Sequence, residues 1–167
     1  LMEVTARGDV VRHEFHDGVI RSDARMTYTT VNAILTDRDP AAMAEHEARV
    51  PLFERMRDLF EVLHARRRRR GSIDFDLPES VIVLDDEGLV EAVIASERNI
   101  AHRLIEEFML LANETVAGSF ESDASPAIYR VHDVPAPGKV EEFEAFISTV
   151  GFSLDASPSG VRPGDFQ

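Results

Sequence analysis

The run from Arg98 to Phe120, R-N-I-A-H-R-L-I-E-E-F-M-L-L-A-N-E-T-V-A-G-S-F, constrains the chain more than any other. At about 100° per residue, Ile100, Ala101, Leu104, Ile105, Phe108, Met109, Leu111, Ala112, Thr115 and Val116 share one arc of roughly 180°, the mark of a helix seated on a core. The opposite arc is polar. On it His102, Glu106 and Asn113 lie within about 40° of one another, and Arg103, Glu107 and Glu114 form a neighbouring row at i, i+4 and i, i+7 spacing. A solvated face is the ordinary outcome for such a helix, and a face that carries chemistry is the alternative.

The rest of the chain reads as short elements around this rod. Met2 to Arg7 and Val10 to Ile20 are two extended segments joined at Gly8-Asp9. Thr29 or Thr30 caps a short helix through Leu35, with Tyr28 just before the cap. Asp39-Pro40 starts a further helix, which Pro51 restarts, with Leu52, Met56, Leu59, Phe60, Leu63 and His64 at helical spacing. Five arginines, Arg66 to Arg70, and Gly71 end it, where positive charge meets the negative end of the helix dipole. From Ser72 the period is two, with Ile73 and Phe75 on one side and Asp74 and Asp76 on the other. Val81 to Leu84, the turn Asp85-Asp86-Glu87-Gly88 and Leu89 to Ala95 make a hairpin that feeds the central helix. Ala127 to Val131 reads as a short strand, Val134 to Pro137 as a stiff connector, and Lys139 to Val150 as a helix amphipathic on Val140, Phe143, Phe146 and Ile147. From Ser153 onward a flexible tail or truncated connection is expected. The expected fold class is α+β, helices with short antiparallel strands.

With 44% hydrophobic residues in 167, the chain is one domain's worth of material. No stretch approaches about 18 uninterrupted apolar residues, so no membrane-spanning helix and no membrane partner are expected. The absence of cysteine excludes disulfides and thiolate metal sites and fits a cytoplasmic location. A net charge of −13 argues against a phosphate-gripping module acting alone. The chain opens on Leu1 and stops in a loop-like stretch, so both ends read as cut.

Four blocks, in order, carry a resemblance. They are G-V-I-R-S-D-A-R-M-T-Y-T-T-V-N-A-I-L (Gly18 to Leu35), R-R-R-R-R-G-S-I-D-F-D-L-P-E (Arg66 to Glu79), H-R-L-I-E-E-F-M-L-L-A-N-E (His102 to Glu114) and A-I-Y-R-V-H-D-V-P-A-P-G-K-V-E-E-F (Ala127 to Phe143). Together they resemble the catalytic RNB domain of the ribonuclease R and ribonuclease II family. The resemblance implies a partial RNB domain over residues 1–152. It implies a segment of a cytoplasmic, Mg²⁺-dependent 3′→5′ exoribonuclease that releases nucleoside 5′-monophosphates from single-stranded RNA 3′ ends. In that family Tyr28 matches a tyrosine that separates RNA from DNA, Phe75 one that stacks on bases, and Glu106 a glutamate on the 3′-terminal riboses, with Glu107 as the register alternative. Glu106 is preferred because it shares a face with His102 and Asn113.

Two-metal phosphodiester hydrolysis needs several convergent carboxylates. The aspartate-rich motif that supplies them in the family, and its downstream arginine block, are both missing, so no catalytic and no metal-ligating residue is expected within the segment. Asp74 with Asp76, and Asp85 with Asp86, are poor substitutes. Two rivals remain: an inactive RNB remnant serving as an RNA- or protein-interaction module, and a small acidic metal hydrolase built on Asp74 and Asp76.

Overall fold

The structure is a computed structural model that describes residues 1–74, 80–95, 98–131, 133–154 and 161–166. Its N-terminal hairpin pairs β1 (Met2–Val4) with β2 (Val10–His13), antiparallel. The turn closes through Gly8 N–H on Thr5 O at 2.9 Å, with Gly8 at φ +83°, a left-handed value that glycine adopts without penalty. Glu14 still exchanges hydrogen bonds with Leu1, at 2.9 and 2.8 Å, and beyond it the expected extension to Ile20 has no partner strand among the described residues.

Helix α1 (Tyr28–Asn32) is capped by Thr27, whose hydroxyl accepts from Thr30 N–H at 3.2 Å. Thr27 rather than Thr29 or Thr30 is the cap, so Tyr28 becomes the first helical residue instead of the residue before the helix. A π-helical turn, Ala33–Asp37, follows and buries Ile34 and Leu35. Asp39 caps α2 (Pro40–Glu45) with Pro40 in the first turn, and after a 3₁₀ turn α3 (Val50–Arg69) restarts with Pro51 in its own first turn.

The core lies between the π turn, α3 and α4 (Ile100–Ser122), built from Ile34, Leu35, Val50, Phe53, Phe60 and Leu104. On α3 the buried line runs through Val50, Phe53, Phe60 and Leu63, while Leu52 is 54% exposed. Residues two turns apart share a face, and Leu52 sits about 100° off that line.

Helix α4 is also turned from the orientation its apolar arc implies. Ala101, Leu104, Glu107 and Leu111 are buried, whereas Ile105, Met109 and Val116 are exposed. The packed face is centred roughly 60° toward the glutamate side of that arc. The reason is α3, which presents a cation to that side.

The second hairpin, β3 (Ser80–Leu84) with β4 (Val90–Ala95), closes on an Asp85 turn. The Asp85 carboxylate accepts from Glu87 N–H at 2.9 Å and Leu89 N–H at 2.8 Å. Residues 127–131 form no strand, having no neighbouring strand to pair with among the described residues. Helix α5 (Pro137–Ser148) begins two residues earlier than Lys139 because proline suits a first helical turn. Its apolar side is largely uncovered, with Phe146 67% exposed. Beyond it, Leu154 is buried and Phe166, in a 3₁₀ turn, sets its ring against Phe143 at 5.6 Å.

Candidate nucleic-acid interface

Two helices meet along a polar seam. Glu107, 3% exposed, accepts from Arg67 Nε at 2.8 Å and from His64 Nδ1 at 3.0 Å. Arg103 donates to His64 Nε2 at 3.2 Å. A guanidinium only donates and a carboxylate only accepts, so the imidazole bridges the two with Nδ1 facing the acceptor and Nε2 the donor. Phe60 stacks on His64 with centroids 5.5 Å apart, and Arg103 lies 5.5 Å over the Phe60 ring. The row read as Arg103, Glu107 and Glu114 is thus the seam itself, since Arg70 also donates to both Glu114 oxygens, at 2.7 and 3.2 Å. That bond raises Arg70 above the ordinary arginine range.

Three arginines of the run have structural tasks. Arg66 donates to Gly8 O at 2.9 Å and ties the N-terminal hairpin to α3, while Arg67 and Arg70 bind α4.

One residue before Glu107, about 100° round the helix, the environment changes. Glu106 is partly exposed and accepts from Arg98 Nη2 at 2.7 Å through Oε2. Its Oε1 faces Arg67 Nη2 at 3.7 Å, beyond hydrogen-bond reach, so this oxygen keeps acceptor capacity. Arg98 also donates from Nη1 to Asp74 Oδ1 at 2.9 Å, and Arg103 donates to Asp74 Oδ2 at 3.3 Å. Hydrogen bonding first to Glu106 and then to Asp74 raises Arg98 above its usual range. Hydrogen bonding to Arg98, with the charges of Arg98, Arg103 and Arg67, holds Asp74 below the usual carboxylate range.

Tyr28, 45% exposed, meets α4 at His102, one turn before Glu106. Its ring stacks on His102 with centroids 4.0 Å apart and planes 26° from parallel. It also lines a mostly apolar cavity of about 490 Å³ with Met26, Val31, Phe53, Met56 and Leu104. Asn99 holds the arrangement from the end of α4. Its Oδ1 accepts from the backbone of Ala101 at 3.1 Å and of His102 at 3.4 Å, and from His102 Nδ1 at 2.9 Å. His102 and Glu106 are four residues apart on α4, so their side chains rise from one face.

Of the three residues singled out by the sequence, Tyr28 and Glu106 therefore both border the His102 face of α4. Phe75 lies outside the described residues, directly after Asp74, which shares Arg98 with Glu106. The sequence reading missed His102 as the partner of Tyr28 and Arg98 as the hub. An Asn cap three residues before a histidine, itself four before a glutamate, was the available signal for the first. Nothing local signalled the pairing of Arg98 with Asp74, 24 residues away.

Among the described residues no group of three or more His, Asp or Glu side chains is placed to hold a metal ion. Asp76 lies outside them, both Asp74 oxygens are taken by guanidiniums, and Asp85 serves its turn. The donor set present does not fit a magnesium site. Nor is any helix among the described residues long and apolar enough to cross a membrane.

The chain belongs to the RNB domain family, whose model matches residues 1–161. Ribonuclease R of Thermotoga maritima is 38% identical over 167 residues, 99% of this chain and 23% of that protein. Ribonuclease R 1 of Lactococcus lactis subsp. lactis is 36% identical over 161 residues, 96% of this chain and 20% of that protein. The chain thus spans about a fifth of the length of these relatives. Among solved structures, the apo form of Mycoplasma genitalium RNase R superposes with a TM-score of 0.83 at 21% identity, over 99% of this chain and 26% of that one. The same enzyme in complex with ribose-methylated single-stranded RNA superposes with a TM-score of 0.69 at 22% identity, over 83% of this chain and 21% of that one. At these identities the likeness is one of fold.

Proposed function

We propose that this chain is the RNA-positioning part of a cytoplasmic 3′→5′ exoribonuclease that releases nucleoside 5′-monophosphates from single-stranded RNA ends. The observation that carries the reading is Glu106: a carboxylate fixed by Arg98 through one oxygen, partly open to solvent, with the other oxygen beyond hydrogen-bond reach of Arg67. Such an oxygen accepts the 2′-hydroxyl of a terminal ribose. A deoxyribose offers no donor and leaves a desolvated acceptor unpaired, which disfavours DNA. Tyr28 supplies a flat apolar wall beside it, and Phe75 adds base stacking, which holds single strands without regard to sequence.

Magnesium enters this reading only for the complete enzyme. Its ligands are assigned to residues outside this segment, because Glu107 and Asp74 are held by arginines and Asp85 by its turn. The absence of cysteine supports a reducing compartment.

The test is digestion of a 5′-labelled single-stranded RNA by the full-length protein that carries this segment, with magnesium present. A ladder shortening from the 3′ end, with nucleoside 5′-monophosphates as product, is expected. An intact substrate under these conditions would contradict the reading and favour an inactive remnant that serves as an RNA- or protein-interaction module.

A further inference from the structure

We infer that His102 is the positioning residue for Tyr28, and that the Asn99–His102–Tyr28 chain is what sets the tyrosine beside Glu106. The inference rests on the sugar-reading role proposed above for Tyr28 and Glu106.

Tyr28 is the first residue of a helix only five residues long and is nearly half exposed. A short helix rarely fixes a side chain by itself. On one side of the ring is a cavity of about 490 Å³, which gives it room to turn. The ring contact that opposes this freedom is the imidazole of His102, stacked at 4.0 Å and 26°. Offset stacking at this separation fixes a ring plane without a hydrogen bond to its hydroxyl.

His102 is itself held. Asn99 Oδ1 accepts from its Nδ1 at 2.9 Å while also capping the first turn of α4. The imidazole is therefore locked to the end of a 23-residue helix that carries Glu106 one turn further on. A rigid rod thus sets the carboxylate and, through His102, the tyrosine that arrives from a different part of the chain. What the site needs at position 102 is a plane, and the Asn99 bond orients that plane.

The test compares kcat/KM of the full-length enzyme on an all-ribose oligonucleotide and on the same oligonucleotide with 2′-deoxy nucleotides at its 3′ end. Tyr28→Ala is expected to reduce the ribose preference about tenfold, because a ribose no longer held by the tyrosine wall loses its hydrogen bond to Glu106. His102→Leu should reduce it to a similar extent, His102→Phe, which keeps the ring but loses the Asn99 bond, should retain part of it, and Tyr28→Ala with His102→Leu should be no worse than Tyr28→Ala alone. If His102→Leu fails to fold, His102→Gln keeps a donor for Asn99, removes the ring and carries the same expectation. A general packing defect would lower activity on both substrates and add to the Tyr28 effect, so an additive double variant overturns the inference. A normal ribose preference in the His102 variants, with Tyr28→Ala impaired, overturns it while leaving the sugar-reading role standing. A normal preference in Tyr28→Ala removes that role and this inference with it.

Discussion

Replacing Glu107 with alanine would strand the Arg67 guanidinium and the His64 imidazole in the seam between α3 and α4, where the glutamate is 3% exposed. Breaking a buried pair by removing one partner costs about 3–5 kcal/mol, because the remaining charge stays desolvated. Glu106→Gln removes a half-open pair with Arg98 and should change stability by no more than about 1 kcal/mol. Denaturant unfolding of the two variants checks this directly; equal losses would contradict the division of the two neighbours into one structural and one functional glutamate. Asp74 gives a pH signature. Its carboxyl is held below the ordinary range, so the stability it contributes is fully present above the unfolded value of about 4 and is lost as pH falls through the folded value. Melting temperatures of the native protein and Asp74→Asn should therefore differ by a constant amount above about pH 4 and converge in stronger acid. A gap that widens in acid would contradict the pairing with Arg98 and Arg103.

At the scale of the elements, glycine positions separate two kinds of backbone demand. A Cβ on Gly8 would lie 3.3 Å from Arg66 Cδ, Leu63 Cδ2 and Val62 Cγ1, and φ is +83° there. Gly8→Ala should cost about 1–2 kcal/mol and loosen the first hairpin from α3. Gly118, inside α4, has open space within 4 Å of where a methyl would sit and no left-handed φ, so Gly118→Ala should stabilise by about 0.5–1 kcal/mol. Thermal melts of both variants test the contrast, and a destabilised Gly118→Ala would refute the assigned exposure. The same distinction between local and distant causes explains what the sequence made legible. The Asp39-Pro40 start, the Asp85 to Gly88 turn and the extent of α4 follow from neighbouring residues, and each is where its signals lie. The rotation of α4 was not legible, because it depends on Arg67, 40 residues away, drawing Glu107 inward. The strand read at Ala127 to Val131 failed for a related reason: alternation describes a half-buried face, but a strand exists only when a partner supplies its hydrogen bonds. Tyr28 and Glu106 were singled out only through the family's motifs, and the stack of His102 on Tyr28 was not foreseen, being a contact across two helices.

For the whole molecule, the main physical problem is uncovered apolar surface. In the β3/β4 hairpin Val81, Ile82, Leu84, Leu89, Val90, Val93 and Ile94 are all exposed, on both faces of a two-stranded ribbon. Such a ribbon is marginal in water, and a patch of this kind drives association. The 167 residues expressed alone should therefore self-associate and bind a hydrophobic dye, whereas a monomer that binds none would contradict the exposure found here. The net charge of −13 fits the same picture, since a segment this acidic grips phosphates poorly by itself.

The most direct measurement is the ratio of kcat/KM on RNA to that on a substrate with 2′-deoxy 3′-terminal nucleotides, for the full-length enzyme and its Glu106→Ala variant. The account predicts a ratio lowered about tenfold or more, as expected when a charged acceptor for the 2′-hydroxyl is removed. An unchanged ratio in a folded variant would contradict the role of Glu106.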